Sequence, residues 1–169
     1  MLAARREFLK MTALTAIGTQ LLPGCSVSNA EAGAAVPAAA PRSVSIIGAI
    51  DIAQALADNS LDNNLYWFDN NSAAGSLYQG TGHLLTSLGK GDSVQWFISG
   101  LQVETVADIA SISGPGATIA NALATTLAPG FSFWSGKISD LASGSYPYSI
   151  VLKVENRLMT ASSLTLAVQ

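Results

Sequence analysis

His83 is the sole histidine of the 169-residue chain, so any Ser-His-Asp or Cys-His chemistry would have to pass through it. Ser76, Ser87 and Asp92 are near it in sequence, but no Gly-x-Ser-x-Gly turn presents a nucleophile. A lone imidazole with no further soft ligand does not make a zinc or copper site. Oxygen donors are more plentiful. Asp58, Asn59, Asp62, Asn63, Asn64, Asp69, Asn70 and Asn71 could ligate calcium, yet the Asp-x-Asp-x-Asp-Gly loop is absent. Asn and Asp also gather in turns simply because they tolerate turn geometry. The glycine-rich piece from Gly75 to Gly82 lacks Gly-Lys-Ser/Thr, so it is not a phosphate loop. Nothing in the spacing places two carboxylates together as glycoside hydrolysis requires. The expectation is no catalytic residue, no metal and no cofactor.

Binding is better provided for. The aromatic set is Tyr66, Trp67, Tyr78, Trp96, Trp134, Tyr146 and Tyr148. A sugar ring offers an apolar C–H face to a rigid aromatic ring, and neighbouring Asn or Asp groups can hydrogen-bond its hydroxyls. Tyr66, Trp67, Asp69, Asn70 and Trp134 are therefore the candidate ligand-binding set, with a glycan as candidate partner. The competing reading places the tryptophans, Trp96 above all, in the core of the domain.

The N-terminal segment supplies an address. Arg5 and Arg6 are followed by Phe8, Leu9 and Lys10, then by an apolar run from Met11 to Leu22. A charged start, a short apolar core and a processing site are the parts of an export signal, and the run is shorter than the roughly 20 apolar residues a spanning helix needs. The arginine pair with Phe-Leu-Lys behind it resembles a twin-arginine (Tat) signal, although Ala4 stands where Ser or Thr is usual. Leu22-Pro23-Gly24-Cys25 resembles a lipobox, whose cysteine is acylated and becomes the new N-terminus. That implies the Tat translocase and lipoprotein-processing enzymes as partners during export, and the membrane as partner afterwards. Ser26, rather than aspartate, after the cysteine favours the outer membrane. The alternative is cleavage at Ala30-Glu31-Ala32 and release into the periplasm. Cys25 is the only cysteine, so no disulfide within the chain is possible.

Hydrophobic residues make up 49% of the chain and charged residues 11%, too apolar a mixture for disorder. Loss of Arg5, Arg6, Glu7 and Lys10 with the signal takes the formal charge from −3 to about −5. An acidic balance of this kind argues against nucleic acid or anionic lipid as the main partner.

These parts imply three regions: a signal over 1–25, an Ala/Pro-rich tether over 26–42, and one folded domain over 43–169. Within the domain, short apolar-alternating runs are separated by Gly, Asn and Asp turns. Strands are expected over Ser43–Ile52, Asn64–Asp69, His83–Leu88, Ser93–Ser99, Phe131–Ile138, Tyr148–Glu155 and Ser163–Val168. Thr105–Ser113 reads as strand or helix, Ile52–Ala57 as one or two helical turns, and Ile119–Leu127 as a short helix or a crossing loop. Gly114-Pro115-Gly116 reads as a break. The fold class expected is all-β: an antiparallel sandwich of seven or eight strands, with one or two short helices in connections.

Several landmarks occur in a particular order: Ile50-Asp51-Ile52, Trp67-Phe68-Asp69-Asn70-Asn71, Gly80-Thr81-Gly82-His83, Gly91-Asp92 followed by a strand with Trp96, Trp134-Ser135-Gly136-Lys137-Ile138, and Tyr148 to Val154. Together they resemble the AidA/PixA inclusion-body protein family. The resemblance spans roughly 43–168, and its most recognisable part is Gly91-Asp92 followed by the strand with Trp96. It implies a compact β-sandwich without established catalytic residues; the export signal departs from it and argues against a cytoplasmic inclusion. The expected function is binding or self-association at the cell envelope, with an envelope hydrolase or a soluble periplasmic glycan-binding module as alternatives.

Overall fold

The computed structural model describes residues 40–102, 106–128 and 131–169. Nine strands form two sheets. They are β1 (Ser43–Ile50), β2 (Leu65–Asp69), β3 (Leu85–Leu88), β4 (Ser93–Gly100), β5 (Ala107–Ser113), β6 (Leu123–Ala128), β7 (Phe131–Lys137), β8 (Gly144–Val154) and β9 (Arg157–Val168). Helix α1 (Ile52–Asp58) follows β1 and helix α2 (Pro115–Ile119) follows β5. One sheet has the order β2-β1-β4-β7-β6, the other β3-β9-β8-β5.

The expected sandwich is present, with three differences. The ladders β1–β4 and β3–β9 run parallel, so the sheets are mixed rather than wholly antiparallel. Where Ile119–Leu127 reads as a short helix or a crossing loop, the helix lies earlier: Pro115 opens α2 as its first residue, where a missing N–H costs nothing. The Ala- and Thr-rich run after it is β6, an edge strand held only by β7. Gly116 sits where a Cβ would come within 3.0 Å of Tyr146 O and Tyr148 Cβ, which is how α2 packs flat on β8.

Alternation fixes what is buried. Val44, Ile46 and Ile50 of β1, Val94 and Trp96 of β4, and Tyr148, Ile150, Leu152 and Val154 of β8 all turn inward. At the end of β1 the chain turns into α1 because the Asp51 side chain accepts from Gln54 N at 3.0 Å, and Asn59 ends the helix in the left-handed region. Across the core, Trp96 Nε1 donates to the Tyr148 hydroxyl at 3.2 Å, and the two rings meet edge-on.

Trp67 is fully buried, which corrects its assignment to a ligand-binding surface. It pairs in register with Gly48 of β1, and a Cβ at Gly48 would stand 2.7 Å from both Trp67 Cζ3 and Ile98 Cδ1. The indole lies over the one position of β1 that lacks a side chain. Gly48→Ala should therefore cost about 1–3 kcal/mol by overpacking, read as a lower denaturation midpoint with unchanged slope.

Burial is the main influence on the Tyr148 hydroxyl and drives its pKa well above the usual phenol range. The Trp96 hydrogen bond opposes that shift and the Asp69 charge adds to it. The fold thus favours the neutral phenol, and this contribution to stability is complete below about 10, where an unfolded tyrosine ionises, and declines as the pH rises beyond it. Tyr148→Phe should flatten that alkaline decline in urea-melt stability. At neutral pH it should cost about 1–3 kcal/mol, because Trp96 Nε1 loses its partner.

Candidate functional site

A cleft of about 350 Å³ opens where the β2 edge of one sheet meets β9 of the other. Three stretches line it: Leu61 to Tyr66, Gly80 to His83, and Thr160 to Ser163. Each is positioned by a separate local device.

The first stretch is a tight turn after α1. Asn63 is in the left-handed region at φ 61°, and the Tyr66 hydroxyl donates back to Asn63 O, which holds the ring against the turn. Asn64 is buried beneath it, donating to Asp58 Oδ2 at 3.1 Å and Ser60 O at 3.2 Å. Together with Gln54, Asn64 holds the exposed Asp58 carboxyl below the usual carboxylate range, Asn64 being the larger influence.

The second stretch lies along β2 as a single extra rung. Trp67 N donates to Thr81 O at 3.0 Å, and Gly80 N donates to Trp67 O at 2.7 Å. Thr81 Oγ1 donates to Tyr78 O and accepts from His83 N, which sets the exposed His83 at the rim.

The third stretch is a bulge. Tyr148 pairs with Leu164 but Ile150 pairs with Ala161, so Ser162 and Ser163 together stand opposite the single residue Ser149 in the β8–β9 ladder. Ala161 and Leu164 can then both be buried while both serines face the cleft. A bulge that re-aims side chains at a sheet edge is a common way to furnish a site.

The lining is one aromatic ring, one imidazole, one carboxylate (Asp62), one amide (Asn63) and the hydroxyls of Thr81, Thr160, Ser162 and Ser163. Among the described residues no hydrogen bond joins the His83 ring to a hydroxyl or a carboxylate. No group of three or more His, Cys, Asp or Glu residues converges there to hold a metal ion. Such a surface can hydrogen-bond a neutral polar ligand and stack one of its faces.

Of the ligand set expected from sequence, only Tyr66 lines the cleft. Trp67 is core. Asp69 Oδ1 accepts from Gln79 Nε2 at 2.8 Å while Asp69 N donates to Gln79 Oε1, a reciprocal pair that pins the Leu77–Thr81 segment to β2. Asn70 Oδ1 accepts from Ser45 N at 3.0 Å and extends the β1–β2 ladder. Trp134 lies on β7, three strand spacings or roughly 14 Å from β2. It is tied to the opposite sheet by Nε1 donating to Ile109 O at 3.1 Å. Asn71, also weighed for calcium, donates to Ser87 O and accepts from Arg42. The serines at 162 and 163 were not anticipated; their signal is a break in phase, with Ala161 and Leu164 both apolar across two polar residues. Cys25 and Arg5, Arg6, Phe8, Leu9 and Lys10 lie outside the described residues.

Comparison with known proteins sets the domain in context. In three dimensions the chain is similar to the crystal structure of an inclusion body protein, PixA, from Burkholderia cenocepacia J2315. The two share 19% identity with a TM-score of 0.60 over 79% of this chain and 99% of that one. A cysteine protease inhibitor from Entamoeba histolytica matches at 11% identity with a TM-score of 0.28, over 50% of this chain and 84% of that one, too remote to bear on the fold. No curated protein matches. The likeness to PixA shows the fold alone. A family model does match residues 42–160, and the chain belongs to that family, which is described as a domain of unknown function, DUF8788.

Proposed function

We propose that this chain is an exported, lipid-anchored β-sandwich that works by binding, without catalysis, and that a saccharide is the ligand of the cleft beside Tyr66. The observation that carries the reading is the lining itself. An aromatic ring, an amide, a carboxylate and four hydroxyls converge on a cleft large enough for one or two sugar rings. Ligand sites of this kind join one apolar platform to a few placed polar groups. A hydrolase would need two carboxylates or a nucleophile beside a base, and the cleft has one carboxylate and an unpaired imidazole. Anchoring rests on the sequence from Arg5 to Cys25, with the twin-arginine pair for export and the cysteine for acylation.

Self-association is a second reading. The PixA structure is titled that of an inclusion body protein, and the outer face of the five-stranded sheet here is nearly free of charge.

Two measurements test the reading. In calorimetric titration with a panel of neutral oligosaccharides, Tyr66→Ala should weaken binding at least about tenfold, a loss of ~1.4 kcal/mol, while Asn70→Ala leaves it unchanged. Equal loss in both variants would remove the cleft from the account, and turnover of the sugar would replace binding by hydrolysis. Mass spectrometry of the mature N-terminus from membrane fractions should find acylated Cys25, and Cys25→Ser should leave the membrane. Cleavage after Ala32 without lipid would instead make the protein a soluble periplasmic one.

A further inference from the structure

Register decides which side chains share the outer face of the five-stranded sheet. Phe68 of β2 pairs with Ile47 of β1, and Ile47 pairs with Phe97 of β4. Phe97 stacks on Phe133 of β7, with ring centroids 5.5 Å apart and planes 18° from parallel. One apolar row therefore crosses four adjacent strands. It is accessible: Ile47 is 46% exposed and Phe68 43%. The rows beside it are neutral, Ala49 with Ser99 on one side and Ser45 with Gln95 on the other. Among the described residues of these strands, the only charged side chain at an outward position is Lys137, at a corner opposite Ser93. The outer face of the other sheet differs, carrying Asp108 and Lys153 opposite each other.

We infer that this face is where a second copy of the chain docks, sheet against sheet. The inference rests on the self-association reading above; Tyr66 of the cleft lies at the β2 end of this same face, in the row of Ala49 and Ser99. Charge selects the occupant. The mature chain is acidic, so two copies meet most easily through the one broad face that carries no acid. A basic partner would be recognised by carboxylates and an anionic surface by lysines, and this face offers neither array. Area agrees. Five strands about 4.8 Å apart and roughly seven residues long give a face of about 24 by 23 Å, so two such faces bury on the order of 1,100 Å² in total, the level at which specific interfaces begin. Geometry agrees as well. A two-fold axis in the plane of contact and along the row sets each apolar side chain against its counterpart, an isologous arrangement. Sheets stacked in this way pack through interdigitated side chains about 10 Å apart.

The test uses the full chain carrying Cys25→Ser, so that no lipid contributes to association. Sedimentation equilibrium over a wide concentration range should show a monomer–dimer equilibrium. Ile47→Lys should weaken it at least about tenfold, whereas Leu158→Lys, an exposed position of the other sheet, should leave it unchanged; near-UV circular dichroism checks that each variant folds. A second readout does not depend on introducing a charge. Ile47→Cys provides the single thiol of that chain, and mild oxidation should link two copies faster than it links Leu158→Cys. A dimer that survives Ile47→Lys and does not crosslink at position 47 would overturn this interface while leaving self-association standing. A monomer at every concentration would overturn both.

Discussion

The register of the parallel pair β1 and β4 rests on how one buried carboxylate is satisfied. Asp92 is 2% exposed, and its oxygens accept from Arg42 N at 2.7 Å, Arg42 Nη2 at 3.0 Å and Gly89 N at 2.7 Å. Its backbone carbonyl accepts from Ile138 N, and its neighbour Ser93 donates to Arg42 O. The residues leading into β1, the turn between β3 and β4, and the residue after β7 are thus gathered at one point. A buried carboxylate without these donors would be costly. The arrangement matters because β1 and β4 are parallel neighbours, and no hairpin turn can set their register. With Ser43 held opposite Ser93, Ile46 meets Trp96 and Ile47 meets Phe97. The inner and outer faces of the sheet follow, and β2, paired with β1, carries Tyr66 to the cleft.

This also gives meaning to Gly91-Asp92, the most recognisable piece of the sequence. Gly91 adopts φ +77°, which suits glycine, and a Cβ there would come 3.1 Å from Asp140 Oδ1. In this fold the pair joins the start of β1 to the turn before β4 and to the end of β7. Asn64, Asp69 through Oδ1, Asn70 and Asn71 likewise hydrogen-bond neighbouring backbone and side chains.

Strands with clean alternation were legible in the sequence: β1, β2 and β4 fall where their patterns put them, with Leu65 and Trp67 inward and Tyr66 and Phe68 outward, and β8 is legible from Tyr148 onward although it begins at Gly144. Three elements were not, each for a physical reason. The edge strand β6 is Leu-Ala-Thr-Thr-Leu-Ala, with little apolar contrast between its faces. Helix α2 hides behind glycines that its close packing on β8 requires. The first half of β9 is masked by the bulge, which shifts the phase of alternation at Ser162 and Ser163. The cleft was the least legible part. Its three walls come from distant stretches, and its hydroxyls belong to residue types that are common on any surface. Only Tyr66 announced itself, and its companions in sequence, Trp67 and Asp69, point the other way along the strand.

The cleft beside Tyr66 is proposed to hold a neutral polar ligand and to do nothing further to it. The most direct measurement is an isotope-edited NMR titration of the protein with oligosaccharides, following backbone amides and ligand signals together. Progressive shifts should be confined to residues 61–66, 80–83 and 160–163, with the ligand spectrum chemically unchanged over days. Shifts centred elsewhere in the domain, or new sugar resonances growing in with time, would contradict it.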